Sequence, residues 1–392
     1  MIKNAWYVAG LSDEFPVNPV HPNKRVLTGT PLAMWRNHEG QIVAFDGRCS
    51  HKRFPLWEGK ILESGDLQCA YHGWCYGATG RCVDVPSQTD VRLSTAMDLI
   101  PYPAVEQDGL VWVWPGDPAA SHAVSPPRAP ELGGNPDYET VYSDKIVLAA
   151  NWRLLIENLL DITHFFPLHD GNIGDRENSE IPVDLIDRVN AGNHEVGTSR
   201  KVQNYRLPPA YHRWFGYEVV DREHTHVMLN PGLVRVELKV APPGELGTSS
   251  EKGYVLYHTT TCVDAADLEW YWIMVTKAGL TSPASPDERL VDLIGKEFPP
   301  VVAQDEWALI KQQEMHVLAL GSGYRETNVR SDIAVVRARR VLAGLERAED
   351  VNTDNYFKTP AVLKEDLYKE LRRTDSPSDS PQTAGVDIHG EN

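Results

Sequence analysis

Two short stretches hold the residue types able to do chemistry. In "CSHKRFPLWEGKILESGDLQCAYHGW" a thiolate and an imidazole occur together twice, as Cys49-x-His51 and Cys69-x-x-His72. Iron in iron–sulfur clusters takes cysteine thiolates, and histidine replaces them on one iron of some two-iron clusters, raising the potential. A zinc finger instead orders its ligands Cys, Cys, His, His. The order here is Cys, His, Cys, His, which disfavours a finger and leaves zinc in another arrangement open.

The second stretch is "NWRLLIENLLDITHFFPLH". On a helix, Asn158, Asp161 and His164 fall within an arc of about 120° and can share a face. Pro167 is expected to disturb that helix and turn His169 towards His164. Two converging histidines suit a single metal ion. Non-haem iron(II) oxygenases add one carboxylate and leave positions open for O₂ and substrate. The carboxylate must come from elsewhere, and Asp305 in "VVAQDEWALIKQQE" is the candidate.

These residues need elements to position them. Residues 1–117 read as β-rich, with strand-like runs such as "IVAFDG" and "LVWVWPG" closed by turn residues. "PGDPAASHAVSPPRAP" has little to bury, and residues 118–130 are expected as a linker. From 131 to 375 the pattern mixes. "NWRLLIENLLDITHFF" reads as one helix capped by Asn151, and "HVMLNPGLVRVELKVAPP", "GYVLYHTTTCV" and "LEWYWIMVTKAG" read as antiparallel strands. A helical stretch interrupted at Pro299-Pro300 and the amphipathic "SDIAVVRARRVLAGLERAED" follow. Residues 376–392, polar and rich in Pro and Ser, read as a disordered tail. The expected class is α+β, an all-β N-terminal domain followed by a catalytic domain with an antiparallel sheet flanked by helices.

Composition narrows the partners. The 392 residues carry a net charge of −17, which argues against nucleic acid and anionic membranes. Four of the five cysteines (Cys49, Cys69, Cys75, Cys82) crowd one region beside histidines, a pattern of metal binding in a reducing compartment. The start, "MIKNAWYVAG", lacks signal-peptide features, and no apolar run is long enough to span a bilayer, so a cytoplasmic location is expected.

On these residues the chain resembles the oxygenase component of Rieske non-haem iron oxygenases over residues 1–345. "CSHKRFPLWEG" and "CAYHGWCYGATGRCVDVP" are similar to the two loops of a Rieske [2Fe–2S] domain. The opening "NAWYVAG", the spacing N-x-x-D-x-x-H-x-x-x-x-H and the later Asp-containing helix resemble the monooxygenase branch that includes vanillate and dicamba O-demethylases. The resemblance implies one Rieske cluster per chain, with Cys49 and Cys69 on one iron and His51 and His72 on the other. Cys75 and Cys82 fall outside that ligand pattern. It implies one mononuclear Fe(II) held by His164, His169 and Asp305, with Asn158 close by. Asp161 would bridge His164 to the partner subunit's His72 in a C₃ homotrimer. Relatives place Glu-Asp where this chain reads Gln304-Asp305-Glu306, so Glu306 is the runner-up ligand. Gln312 and Gln313 match the turn that follows in relatives and favour Asp305.

The implied activity is that of a terminal oxygenase using O₂ to hydroxylate, or O- or N-dealkylate, a small hydrophobic, aromatic substrate. Ring hydroxylation, oxidation of a steroid or alicyclic molecule, and plain electron carriage are the alternatives. No GxGxxG follows a strand, so electrons must come from a separate ferredoxin or reductase. Lys52, Arg53, Lys60 and Arg81 surround the ligand loops and are candidates for docking an acidic donor. Phe165, Phe166, Trp214, Trp270, Trp272 and Trp307 are candidate pocket residues and His258 a candidate pocket donor. "TTTCVDAADLEWYWIM" departs from the polar pattern of the O-demethylases at this strand, and no arginine is placed to bind a substrate carboxylate.

Overall fold

Short strands and turn residues build the N-terminal part into three small antiparallel sheets. One joins Tyr7–Leu11, Leu110–Val113 and Ala104–Gln107, and a second joins Asn23–Leu27, Thr30–Arg36 and Ile42–Asp46. The third joins Lys60–Ile61, Leu67–Gln68, Cys75–Tyr76 and Cys82–Asp84. These strands run only two or three residues, so the chain between them is free to form the loops bearing Cys69 and His72. The structure is a computed structural model that describes residues 1–349; the expected tail and residues 350–375 lie outside the described residues.

The catalytic part is organised on a seven-stranded sheet with every neighbouring pair antiparallel. Its order is Tyr138–Tyr142, Trp272–Lys277, Lys252–Thr259, Leu233–Ala241, Val219–Asn230, Asn193–Arg206 and Asp184–Asn190. The helices Trp152–Leu160, Leu290–Glu297, Pro299–Ala319 and Ile333–Ala348 pack with this sheet, and the main buried cluster draws residues from all of them. The helical stretch breaks before Pro299, because a proline is tolerated in a first turn and breaks an interior one. No helix among the described residues is long and apolar enough to cross a membrane.

Two expectations need correction. The run expected as one helix ends at Leu160, and a separate turn, Phe165–Leu168, follows. Asp161 leaves helical geometry at φ −94° and ψ 103°, and its carboxylate accepts from Thr163 N at 2.7 Å and Thr163 Oγ1 at 2.6 Å. That local alternative to the helical ladder stops the helix six residues before Pro167, which sits harmlessly in the first turn of the next one. The segment 118–130 is also not loose. Trp6 Nε1 donates to Val124 O, Gln107 Nε2 to Pro127 O, and Arg128 pairs with Asp108, while Ala129 and Leu132 join a buried cluster.

Candidate functional site

The two loops of the N-terminal part close on themselves in the same way despite their different spacings. Cys49 N donates to Phe54 O and Arg53 N to Cys49 O; Cys69 N donates to Trp74 O and Gly73 N to Cys69 O. Arg53 (φ 57°) and Gly73 (φ 74°) occupy equivalent left-handed positions, which lets each loop turn tightly around its cysteine. Both cysteines are buried, and burial, helped by the neighbouring Cys49 thiol, raises Cys69. The His51 and His72 rings lie 4.6 Å apart, and His51 also stacks on Trp74 at 4.6 Å. His51 Nδ1 is buried with no hydrogen-bond partner. A buried, orphaned imidazole nitrogen beside a second imidazole and two thiols is the donor set a Rieske cluster requires. Cys75 and Cys82 are buried and free, with their thiols turned to Gly73 O and Asp84 O.

In the catalytic part the structure brings His164, His169 and Asp305 together, with one ligand atom from each lying within 4.8 Å of the others. His164 precedes the Phe165–Leu168 turn and His169 follows it, so one short turn aims both rings. Asp305 comes from the first half of the Pro299–Ala319 helix; Asp305 Oδ1 is 3.3 Å from His169 Nε2 and 3.6 Å from His164 Nε2. Asn158 Nδ2 donates to the same oxygen at 3.1 Å. Burial works against the Asp305 charge, yet the His169 contact and the neighbouring imidazoles and amide hold its carboxyl below its ordinary range. His164 is lowered, chiefly by burial. Two imidazoles and one carboxylate within coordinating reach fit a divalent metal of the facial-triad type.

Gln304 was not singled out as a functional residue by sequence reasoning. Its Oε1 lies 2.8 Å from His169 Nδ1, so it accepts a hydrogen bond from Nδ1–H and leaves Nε2 with its lone pair towards the triad. Glu306 is not part of the cluster. Asp161 is turned onto Thr163 rather than onto His164, whose Nδ1 is buried without a partner.

The triad opens into a small pocket of about 30 Å³. Apolar residues dominate its lining, among them Phe165, Ile173, Val236, Leu256 and Phe298, with His224, His226 and His258 on the sheet side. Of the expected pocket aromatics only Phe165 reaches it. Phe166 lies under Arg176, Trp214 bonds to Glu297, Trp270 bonds to His258, and Trp272 packs on Phe298. Trp307 is 60% exposed on the outer side of its helix. Trp270 Nε1 donates to His258 Nδ1 at 3.1 Å, and burial drives His258 down to about 3, so its ring is neutral with the proton on Nε2.

Comparisons with known proteins agree with this geometry. Residues 5–97 match the model of the Rieske [2Fe-2S] domain, and residues 148–348 match that of the vanillate O-demethylase oxygenase C-terminal domain. The chain is 29% identical over 372 residues to a Pseudomonas vanillate O-demethylase oxygenase subunit, covering 90% of this chain and 97% of that one. It is 32% identical to a Comamonas testosteroni toluene-4-sulfonate monooxygenase system iron-sulfur subunit, covering 62% of this chain and 68% of that one. A crystal structure of dicamba monooxygenase bound to dicamba superimposes with a TM-score of 0.77 at 25% identity, covering 89% of this chain and 99% of that one.

Proposed function

The chain belongs to the Rieske non-haem iron oxygenases of the vanillate O-demethylase branch, and on that premise we propose which of its residues carry the reaction. Cys49, Cys69, His51 and His72 hold the [2Fe–2S] cluster, and His164, His169 and Asp305 hold the mononuclear iron. The observation that carries this is the convergence of His164, His169 and Asp305 in the lining of a mostly apolar pocket. When bound, the cluster stores and passes single electrons, and the mononuclear iron uses them to activate O₂ towards an otherwise inert C–H bond.

The rest is done by the chain's own groups. Gln304 fixes the His169 tautomer, and Asn158 fixes the Asp305 carboxylate by donating to it. The apolar walls exclude water and favour a hydrophobic, aromatic substrate, as the names of the dicamba and vanillate relatives also suggest. His258 offers Nε2–H to an oxygen of that substrate. Hydroxylation of a carbon bearing an O- or N-alkyl bond gives a hemiacetal or carbinolamine, which collapses to release an aldehyde.

The electrons come from a separate ferredoxin or reductase. In a homotrimer the exposed His72 of one subunit would meet a neighbour's Asp161, whose carboxylate has capacity left beyond its two bonds to Thr163. The test is O₂ uptake by the holoenzyme with a generic reductase, offered aryl ethers, N-alkyl anilines and steroids. Substrate-stimulated uptake with an aldehyde in step with O₂ is expected from an aryl ether or aniline. Hydroxylated steroid without aldehyde would replace the dealkylation reading.

A further inference from the structure

A sheet face that packs against helices is ordinarily apolar, yet at the end of the Trp152–Leu160 helix it is polar. Thr198 Oγ1 donates to Leu160 O at 3.3 Å, and His226 Nδ1 donates to Leu159 O at 2.7 Å. These are two of the last four carbonyls, which a helix leaves without a partner of its own. Thr198 stands opposite His226 in register, and Arg200 opposite His224. Side chains two apart on a strand point to one face. Arg200 therefore follows the Thr198 contact on the face that meets the helix end, and Asp161 follows Leu160 in the chain.

Arg200 is 2% exposed, and among the described residues it has no carboxylate within 4.0 Å. Its Nε and Nη1 are buried with no hydrogen-bond partner. Burial and the neighbouring Arg222 lower it to about 10, so it stays cationic at neutral pH, and of the carboxylates opposing that shift Asp161 acts most strongly. Asp175, the other, is engaged by Asn178 N and the Tyr205 hydroxyl. The Asp161 charge also acts on His164, whose Nε2 faces Asp305 and whose Nδ1 is buried with no partner. An imidazole that gives Nε2 to a metal carries its proton on Nδ1 and needs an acceptor there. Asp161 is half-buried and uses one oxygen, Oδ1, for both Thr163 N and Thr163 Oγ1, while among the described residues its Oδ2 takes no hydrogen bond. Three buried donors without partners thus attend one carboxylate with an oxygen to spare. Leaving a buried cation unmatched is unfavourable.

We propose that Arg200 is a positioning residue for Asp161: it turns the carboxylate away from Thr163 and onto His164 Nδ1, and so sets the contact by which an electron from the partner subunit's His72 reaches the mononuclear iron. The driving force is a change of surroundings. While Asp161 faces water, its attraction to Arg200 is screened, and the two local bonds to Thr163 hold it. When a neighbouring subunit covers it, water leaves and the effective dielectric falls, so the attraction to the buried cation rises severalfold. Assembly then completes the contact that the lone chain holds open. This rests on the oxygenase reading, with Asp161 as the bridge between subunits, and adds the group that places the bridge.

Two measurements on the assembled holoenzyme test this, one of them without turnover. Arg200→Met and Asp161→Asn should each speed the loss of the mononuclear iron to a chelator by about tenfold, because His164 loses the acceptor that orients it. The double variant should lose iron no faster than either single one, since both remove the same contact. Each single variant should also slow re-oxidation of a pre-reduced cluster, mixed with O₂ and substrate, by about tenfold or more. The cluster's spectrum and its reduction by dithionite should stay unchanged. Arg200→Lys keeps the charge and should recover part of both effects. Arg200→Met is expected to fold, because it removes an unmatched buried charge. Should it not fold, Thr163→Val decides: with the competing hydroxyl gone, iron loss should be slower than in the wild type. Additive effects in the double variant, wild-type behaviour of Arg200→Met, or faster iron loss from Thr163→Val would each overturn the role of Arg200. A silent Arg200→Met beside a slowed Asp161→Asn would sink only this role and leave the bridge standing. A silent Asp161→Asn would sink the bridge and this role together, while product formation would still report on the oxygenase reading.

Discussion

At the scale of residues, the candidate donors were legible and the contacts that hold them were not. The spacing of Cys49, His51, Cys69 and His72 and the types of His164, His169 and Asp305 pointed to two iron centres, because metals select donors by chemistry that a sequence spells out. The support comes from tertiary approach: Gln304 meets His169 across 135 residues of chain, and no local pattern encodes that. Asp305→Ala should remove the mononuclear iron and keep the cluster, so that iron per acid-labile sulfide falls by about a third; Glu306→Gln should leave the ratio unchanged. The reverse pattern would move the third ligand to Glu306. Gln304→Leu should keep all three ligands yet weaken iron binding by about 10- to 100-fold, read as faster loss of that iron to a chelator. Unaltered release would reduce Gln304 to a bystander.

At the scale of elements, periodicity found the helices but misplaced the break that aims the histidines. Helical spacing continues through "LLDITHFF", yet the Asp161 carboxylate offers Thr163 a closer partner than the helical ladder does, and the chain turns there. The turn that follows is held by a glycine that no local pattern marks. A Cβ at Gly174 would overlap the Phe165 carbonyl oxygen, and Gly174 N donates to His169 O at 3.1 Å, so the glycine backbone packs directly against the His164–His169 turn. Gly174→Ala should therefore cost about 1–3 kcal/mol and shift the turn, lowering both the melting temperature and the occupancy of the mononuclear iron. Stable protein with full iron would show that the turn tolerates the displacement. The N-cap is a separate device: Asn151 accepts from Arg153 N at 3.0 Å and donates to Ala265 O at 2.8 Å. Asn151→Ala should lower stability by about 1 kcal/mol with the iron content preserved, which separates general stability from aim.

At the scale of the whole molecule, the order of a β module before an α+β module was legible because turn residues and a change of period mark it. The tight joint between the modules was not. Thr28 and Gly29 donate to Cys262 O and Val263 O, Asn230 Nδ2 donates to Trp6 O, and Tyr271 bonds to Glu14, all between residues more than 200 positions apart. A rigid joint fixes how the cluster loops face outward, and it makes the surface around them a defined target. That surface is unlike the rest of the chain. Against a net charge of −17, Lys52, Arg53, Lys60 and Arg81 are all exposed beside the loops, and among the described residues none has a carboxylate within 4.0 Å. Unpaired cations on an acidic protein focus a local positive field, which steers an acidic electron donor to the one place where transfer is useful. Reversing Lys52 and Arg53 to Glu should slow reduction by such a donor at low salt by about tenfold and flatten its dependence on ionic strength. Reduction by dithionite, which needs no docking, should be unchanged. If donor-dependent rates and their salt dependence both stayed as in the wild type, the four cations would be ordinary solvated loop charges, and the donor would have to dock on another face.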